Sequence, residues 1–151
     1  MQENTILLVE DNPDDEALAL RAFRNSEHVN RVVVVRDGAE ALDYLFGAGQ
    51  YAGRDTRDQP RLILLDMKLP KLNGLDVLRR IRQDERTRYH PVVLMTSSRQ
   101  ESDIIAGYSL GANSYVQKPV NFDEFVDSMR DLGRYWLHIN RTPNLAMEAY
   151  R

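Results

Sequence analysis

Short apolar runs alternate with longer amphipathic stretches along the chain. The runs Ile6-Leu7-Leu8-Val9, Val32-Val33-Val34-Val35, Leu62-Ile63-Leu64-Leu65, Val92-Val93-Leu94-Met95 and Ser114-Tyr115-Val116 have the length and composition of β-strands. The middle three lack polar–apolar alternation, which predicts strands covered by helices on both faces, because neither side then meets water. Between these runs, residues 13–27, 38–46, 74–84, 100–110 and 122–139 repeat their apolar positions with helical period. In the first, Ala17, Leu18, Leu20, Ala22 and Phe23 form a stripe behind the helix-starting Pro13-Asp14-Asp15. Asp37, Asn73 and Asn121 stand where N-caps of the second, third and fifth helices belong.

Strands alternating with helices predict parallel βα units rather than hairpins. The expected fold class is therefore α/β: a doubly wound (βα)5 flavodoxin-like parallel sheet of order 2-1-3-4-5, with ligands outside the carboxyl ends of its strands. Residues 48–59 hold Gly49, Gly53 and several charges and predict an exposed loop before the third strand. Residues 1–139 make one domain. The tail, 140–151, carries Leu145, Met147 and Tyr150, and with the exposed part of the fifth helix is a candidate homodimer or partner contact.

Composition narrows the classes of function. The 151 residues are 42% hydrophobic and 28% charged, the balance of an ordinary globular domain. With 20 Lys plus Arg against 23 Asp plus Glu, the net charge of -3 leaves no electrostatic footprint for nucleic acid. Cysteine is absent, which excludes disulfides and thiolate chemistry. No run is long enough to span a membrane and the N-terminus lacks a basic secretory start, so the default location is cytoplasmic. The Arg79-Arg80-Ile81-Arg82 run, with Arg86 and Arg88, reads as a solvated helix face; His28, His90 and His138 are isolated, without the spacing of a transition-metal site.

The predicted topology brings chemistry to one edge. Past the strand ends stand Glu10-Asp11-Asn12, then Asp66, Thr96-Ser97 and Lys118-Pro119. Three packed acids repel unless a cation is present, and a hard divalent ion such as Mg²⁺ answers that need. Asp66, ending an apolar central strand, is placed to be a nucleophile toward phosphorus, with Lys118 pairing it at rest and meeting a phosphoryl oxygen afterwards, and Thr96 donating to another. Singly, each residue also has an ordinary structural reading: Asp11 as a helix cap, Thr96 as a loop hydroxyl, Lys118-Pro119 as a turn. Their joint occurrence at four strand ends favours the chemical one.

The set Glu10-Asp11, Asp66 followed by Pro70 and Asn73-Gly74, Thr96-Ser97, Gly111-Ala112, Tyr115 and Lys118-Pro119 resembles the receiver domain of two-component response regulators, over about residues 5–139. The resemblance implies phosphoacceptor Asp66, metal ligands Glu10, Asp11 and Asp66 with the backbone carbonyl of Lys68, switch residues Thr96 and Tyr115, and phosphate-contacting Lys118. It also implies a cis Lys118–Pro119 peptide and a histidine kinase as phosphodonor, the protein being a signalling phosphoacceptor rather than an enzyme. The loop before the third strand and the Tyr135-Trp136-Leu137 helix end are similar to the small stand-alone regulators of bacterial phytochrome kinases. Three rivals stand against it. An aspartate-nucleophile phosphatase would need an acid where Lys68 stands, a flavin module would find Glu10-Asp11 repelling its phosphate, and a degenerate, unphosphorylated receiver would not need every chemical position filled.

Overall fold

The computed structural model describes residues 4–143. Five parallel strands, β1 (Thr5–Val9), β2 (Arg31–Val35), β3 (Leu62–Asp66), β4 (Val92–Thr96) and β5 (Ser114–Gln117), lie in the order β2-β1-β3-β4-β5. The helices α1 (Pro13–Arg24), α2 (Gly38–Phe46), α3 (Gly74–Gln83), α4 (Glu101–Ser109) and α5 (Phe122–Arg134) connect or follow them. This is the expected doubly wound sheet. Alternate residues of β1 face opposite cores. Leu7 and Val9 pack with Ala41, Leu45, Val77, Leu78 and Ile81 under α2 and α3, while Ile6 and Leu8 pack with Ala19, Ala22, Phe23, Phe125, Val126 and Met129 under α1 and α5. Burying both faces of the central strands removes their apolar side chains from water, the main term holding the layers together.

The predicted caps hold. Asp37 accepts the Glu40 N–H at 2.7 Å, Asn73 that of Asp76 at 3.0 Å and Asn121 that of Glu124 at 3.1 Å. For α1 the cap is Asn12, whose Oδ1 accepts from Asp14 and Asp15 at 2.9 and 3.1 Å, so Asp11 is not consumed as a cap.

Several expectations need correction. The run Val32-Val33-Val34-Val35 belongs to an edge strand, and only Val35 is fully buried, because the flanking helices do not close over the sheet margin. The fifth helix gives way at Tyr135–Ile139 to one π-helical turn, and Phe122, the first apolar residue of its predicted range, is exposed. The 48–59 connection is the exposed loop expected, but it is not without structure. It contains a single 3-10 turn, Gly49–Tyr51, and is held by Arg54 and Gln59, which donate to the carbonyls of Tyr44 and Leu45 at 2.7 and 3.0 Å. Arg82 does not sit on a solvated face, and His28 is not isolated in space: its ring stacks on His138 with centroids 4.3 Å apart. No cis peptide occurs among the described residues, so the Lys118–Pro119 bond departs from the expected geometry. Trans is the lower-energy isomer even before proline, by about 0.5–1 kcal/mol. Leu145, Met147 and Tyr150 lie outside the described residues.

Candidate functional site

Sheet register decides which residues meet. Asp66 pairs with Met95 and Thr96 with Gln117, so the ends of β3, β4 and β5 come out level, beside Glu10 after β1. The start of α3 presses against this edge. A Cβ on Gly74 would stand 2.5 Å from the Asp66 carbonyl oxygen, so only glycine allows the approach, and its N–H donates to the Met67 carbonyl at 2.9 Å.

The expected residues do come together. Glu10, Asp11 and Asp66 each bring a carboxylate oxygen within 4.8 Å of the others, Glu10 and Asp66 buried and Asp11 exposed. Lys118 extends its ammonium among them, with Nζ donating to Glu10 Oε1 at 2.7 Å and to Asp66 Oδ2 at 3.1 Å. The other oxygen of Asp66, Oδ1, accepts the Lys68 N–H at 3.1 Å; the Lys68 side chain is exposed. Thr96 is buried at the end of β4, and its hydroxyl oxygen accepts the Ser98 N–H at 3.2 Å. Tyr115, half-buried on β5, donates its hydroxyl to the Ser98 carbonyl at 3.3 Å. Ser98 in turn donates to Asp103 Oδ2 at 2.6 Å, so the loop after β4 links Thr96, Tyr115 and α4.

The electrostatics follow from packing acids in a dry place. Burial, then the adjacent Asp66 carboxylate, pushes Glu10 up to about 8, although Lys118 pulls the other way. For Lys118, burial alone would lower the pKa, but hydrogen bonds to Asp15 and Glu10 and the Asp66 charge outweigh it and raise it above the usual lysine range. One ammonium is too little charge to offset these acids, so ionising all of them at once is disfavoured. An all-oxygen, multiply anionic donor set with one open, exposed member suits a hard divalent cation such as Mg²⁺ or Mn²⁺ and suits no thiophilic metal.

Sequence reading missed Asp15. Its Oδ2 lies 2.8 Å from Lys118 Nζ, a contact spanning 103 positions in the chain. At the third position of α1 an acid ordinarily returns a bond to the cap residue's N–H. Here Glu10 Oε2 accepts the Asn12 N–H at 3.3 Å, leaving Asp15 to the lysine. The Ser98–Asp103 bond was missed likewise, since nothing in the local pattern pairs them.

Comparison with known proteins gives the same picture. Residues 6–130 match the response regulator receiver domain family. Probable methanogenesis regulatory protein FilR2 of Methanothrix harundinacea is 41% identical over 144 residues, spanning 93% of this chain and 88% of that protein. Rcp1, a response regulator of Synechocystis sp., is 35% identical over 138 residues, 91% of this chain and 92% of its own. The crystal structure of its Mn(2+)-bound form superposes with a TM-score of 0.85 at 34% identity, over 93% of this chain and 99% of that one. The structure of phosphorylated RcpA, a cyanobacterial phytochrome response regulator, superposes with a TM-score of 0.87 at 38% identity, over 95% of this chain and 99% of that one. A match running across nearly all the strands and helices, with likeness to Rcp1 and RcpA along nearly their whole length, means that this chain belongs to the response regulator receiver domain family.

Proposed function

We propose that this receiver accepts a phosphoryl group on Asp66 from the phosphohistidine of a histidine kinase and thereby switches a protein-binding surface. The observation that carries the reading is Lys118 Nζ, 3.1 Å from Asp66 Oδ2 inside a cluster of acids. An Asp66 carboxylate oxygen attacks phosphorus as the P–N bond to the donor imidazole breaks, and the bonding pair leaves with the imidazole nitrogen. Little other covalent chemistry is needed, so positioning and charge neutralisation dominate.

The chain's own groups supply both. The Lys68 N–H fixes Asp66 Oδ1 and so orients the attacking carboxylate. Lys118 transfers a hydrogen bond from Asp66 to a phosphoryl oxygen, and Thr96 donates its hydroxyl to another. Glu10, Asp11, Asp66 and the Lys68 backbone carbonyl are the proposed ligands of Mg²⁺, which when bound neutralises charge on the phosphoryl oxygens. Presence of a divalent ion in the family, seen in Mn(2+)-bound Rcp1, supports this. Thr96 moving toward the new charge withdraws the acceptor of the Ser98 N–H, and Tyr115, bonded to the same Ser98, reorients with it. The surface that changes is that of α4, β5 and α5, where Ile105, Tyr108 and Phe122 are exposed.

The proposed receiver unit spans 1–139, with 140–151 as a tail contacting a partner or a second copy. RcpA is a phytochrome response regulator and FilR2 a probable methanogenesis regulator, and the likeness to RcpA favours a phytochrome-type kinase as the donor. No described helix is long and apolar enough to cross a membrane. Incubation with Mg²⁺ and acetyl phosphate is expected to add the mass of one phosphoryl group to the parent and none to Asp66→Asn. Equal gain in both would remove Asp66 as the acceptor, and no gain in the parent would leave a receiver fold serving as an unphosphorylated interaction module.

A further inference from the structure

An ammonium has three N–H donors, and in Lys118 each meets a different carboxylate: Glu10 at 2.7 Å, Asp15 at 2.8 Å and Asp66 at 3.1 Å. Two of these acids belong to the cluster with Asp11. Asp15 does not, so it meets the lysine without being a member of the proposed cation site. The pair is largely sheltered, with 13% of the Lys118 side chain and 23% of the Asp15 side chain exposed, and solvent screens it less than a surface ion pair. Asp15 is itself rigidly placed. Its N–H donates to the Asn12 cap at 3.1 Å, and α1 is pinned to the sheet by Ala19, Ala22 and Phe23.

We propose that Asp15 is a positioning residue that holds the Lys118 ammonium over Asp66 both before and after phosphorylation. The inference rests on the phosphoacceptor reading above. Acyl-phosphate formation takes Asp66 Oδ2 out of its bond with the lysine and offers a phosphoryl oxygen instead, while Glu10 and Asp15 keep theirs. With both anchors the nitrogen is fixed at two points and only its third N–H changes partner. With Glu10 alone the ammonium swings on a flexible four-carbon stem, and the reacting geometry is populated less often.

The test is the initial rate of phosphorylation of the full chain by acetyl phosphate with Mg²⁺, followed by mass. Asp15→Ala is expected to lower the maximal rate about tenfold, with little change in the donor concentration giving half-maximal rate. Asp15→Asn, which keeps an oxygen acceptor and the first turn of α1, is expected to fall between. The decisive readout is a double-mutant cycle: Asp15→Ala added to Lys118→Ala costs nothing further if Asp15 acts through the lysine. Full additivity, or an Asp15→Ala rate equal to the parent's, overturns the inference while leaving the phosphoacceptor reading intact. A parent that takes no phosphoryl group at all overturns both.

Discussion

His90 lies with its ring Nε2 3.0 Å from Gln59 Oε1. Gln59 spends its amide N–H groups on the Leu45 and Thr56 carbonyls, so its oxygen is the acceptor and the imidazole Nε2 carries a proton in the neutral ring. Burial, then the nearby Arg82 charge, pushes this histidine down to about 4. A base whose folded pKa lies below its unfolded value binds protons more readily unfolded. The group's stabilisation is therefore complete above about 6.5 and is lost as pH falls toward 4. Going from pH 7 to pH 5 should cost about 2 kcal/mol through this group alone. Urea unfolding at the two pH values is expected to show that loss in the parent and a visibly smaller one in His90→Gln. Equal losses would mean the ring is already free to charge. Nothing in the sequence announced this residue, because its partner stands 31 positions away.

Among the elements, α3 is tied to its neighbours by one side chain, Arg82. Arg82 donates from Nε to the Gly111 carbonyl at 2.9 Å, from Nη1 to those of Arg88 and His90 at 3.1 and 2.8 Å, and from Nη2 to Asn113 Oδ1 at 2.8 Å. Asn113 Oδ1 also accepts the Val92 N–H at 2.8 Å, so one guanidinium ties α3 to the start of β4 and to the turn between α4 and β5. Truncation leaves several acceptors without their donor, and Arg82→Ala is expected to cost about 2–4 kcal/mol in urea unfolding. Arg82→Lys should recover only a minor part, since a single ammonium cannot reproduce the planar fork. Recovery to parental stability by lysine would show that charge, not geometry, is what matters there. Helical period placed Arg82 on α3 correctly; which neighbours it would clasp depended on the α4–β5 turn folding back beside it.

At the scale of the whole molecule, the fold gathers acids from β1 and β3 at one edge, and their mutual repulsion works against the folded state. A divalent cation that binds the folded chain and not the unfolded one relieves it. At a hundredfold over its Kd such an ion contributes about 2.7 kcal/mol, which in a domain this size raises Tm by roughly 5–10 °C. Mg²⁺ is expected to produce that rise, a chelator to reverse it, and Asp11→Asn to abolish most of it. Unfolding temperatures that ignore Mg²⁺ in the parent would remove Glu10, Asp11 and Asp66 as a cation site.

Period and composition were enough to derive the five strands, the five helices, the capping residues Asp37, Asn73 and Asn121, and the edge where Glu10, Asp11, Asp66, Thr96 and Lys118 meet. Those are consequences of local pattern and of the rule that a doubly wound parallel sheet presents its strand ends together. Tertiary structure alone decided that Asp15 serves Lys118, that Ser98 joins Thr96 to Tyr115, that β2 is an open margin, and that α5 loosens into a π turn. Each depends on the distance between groups far apart in the chain or on how completely one layer covers another. No periodicity along a single segment encodes such distances.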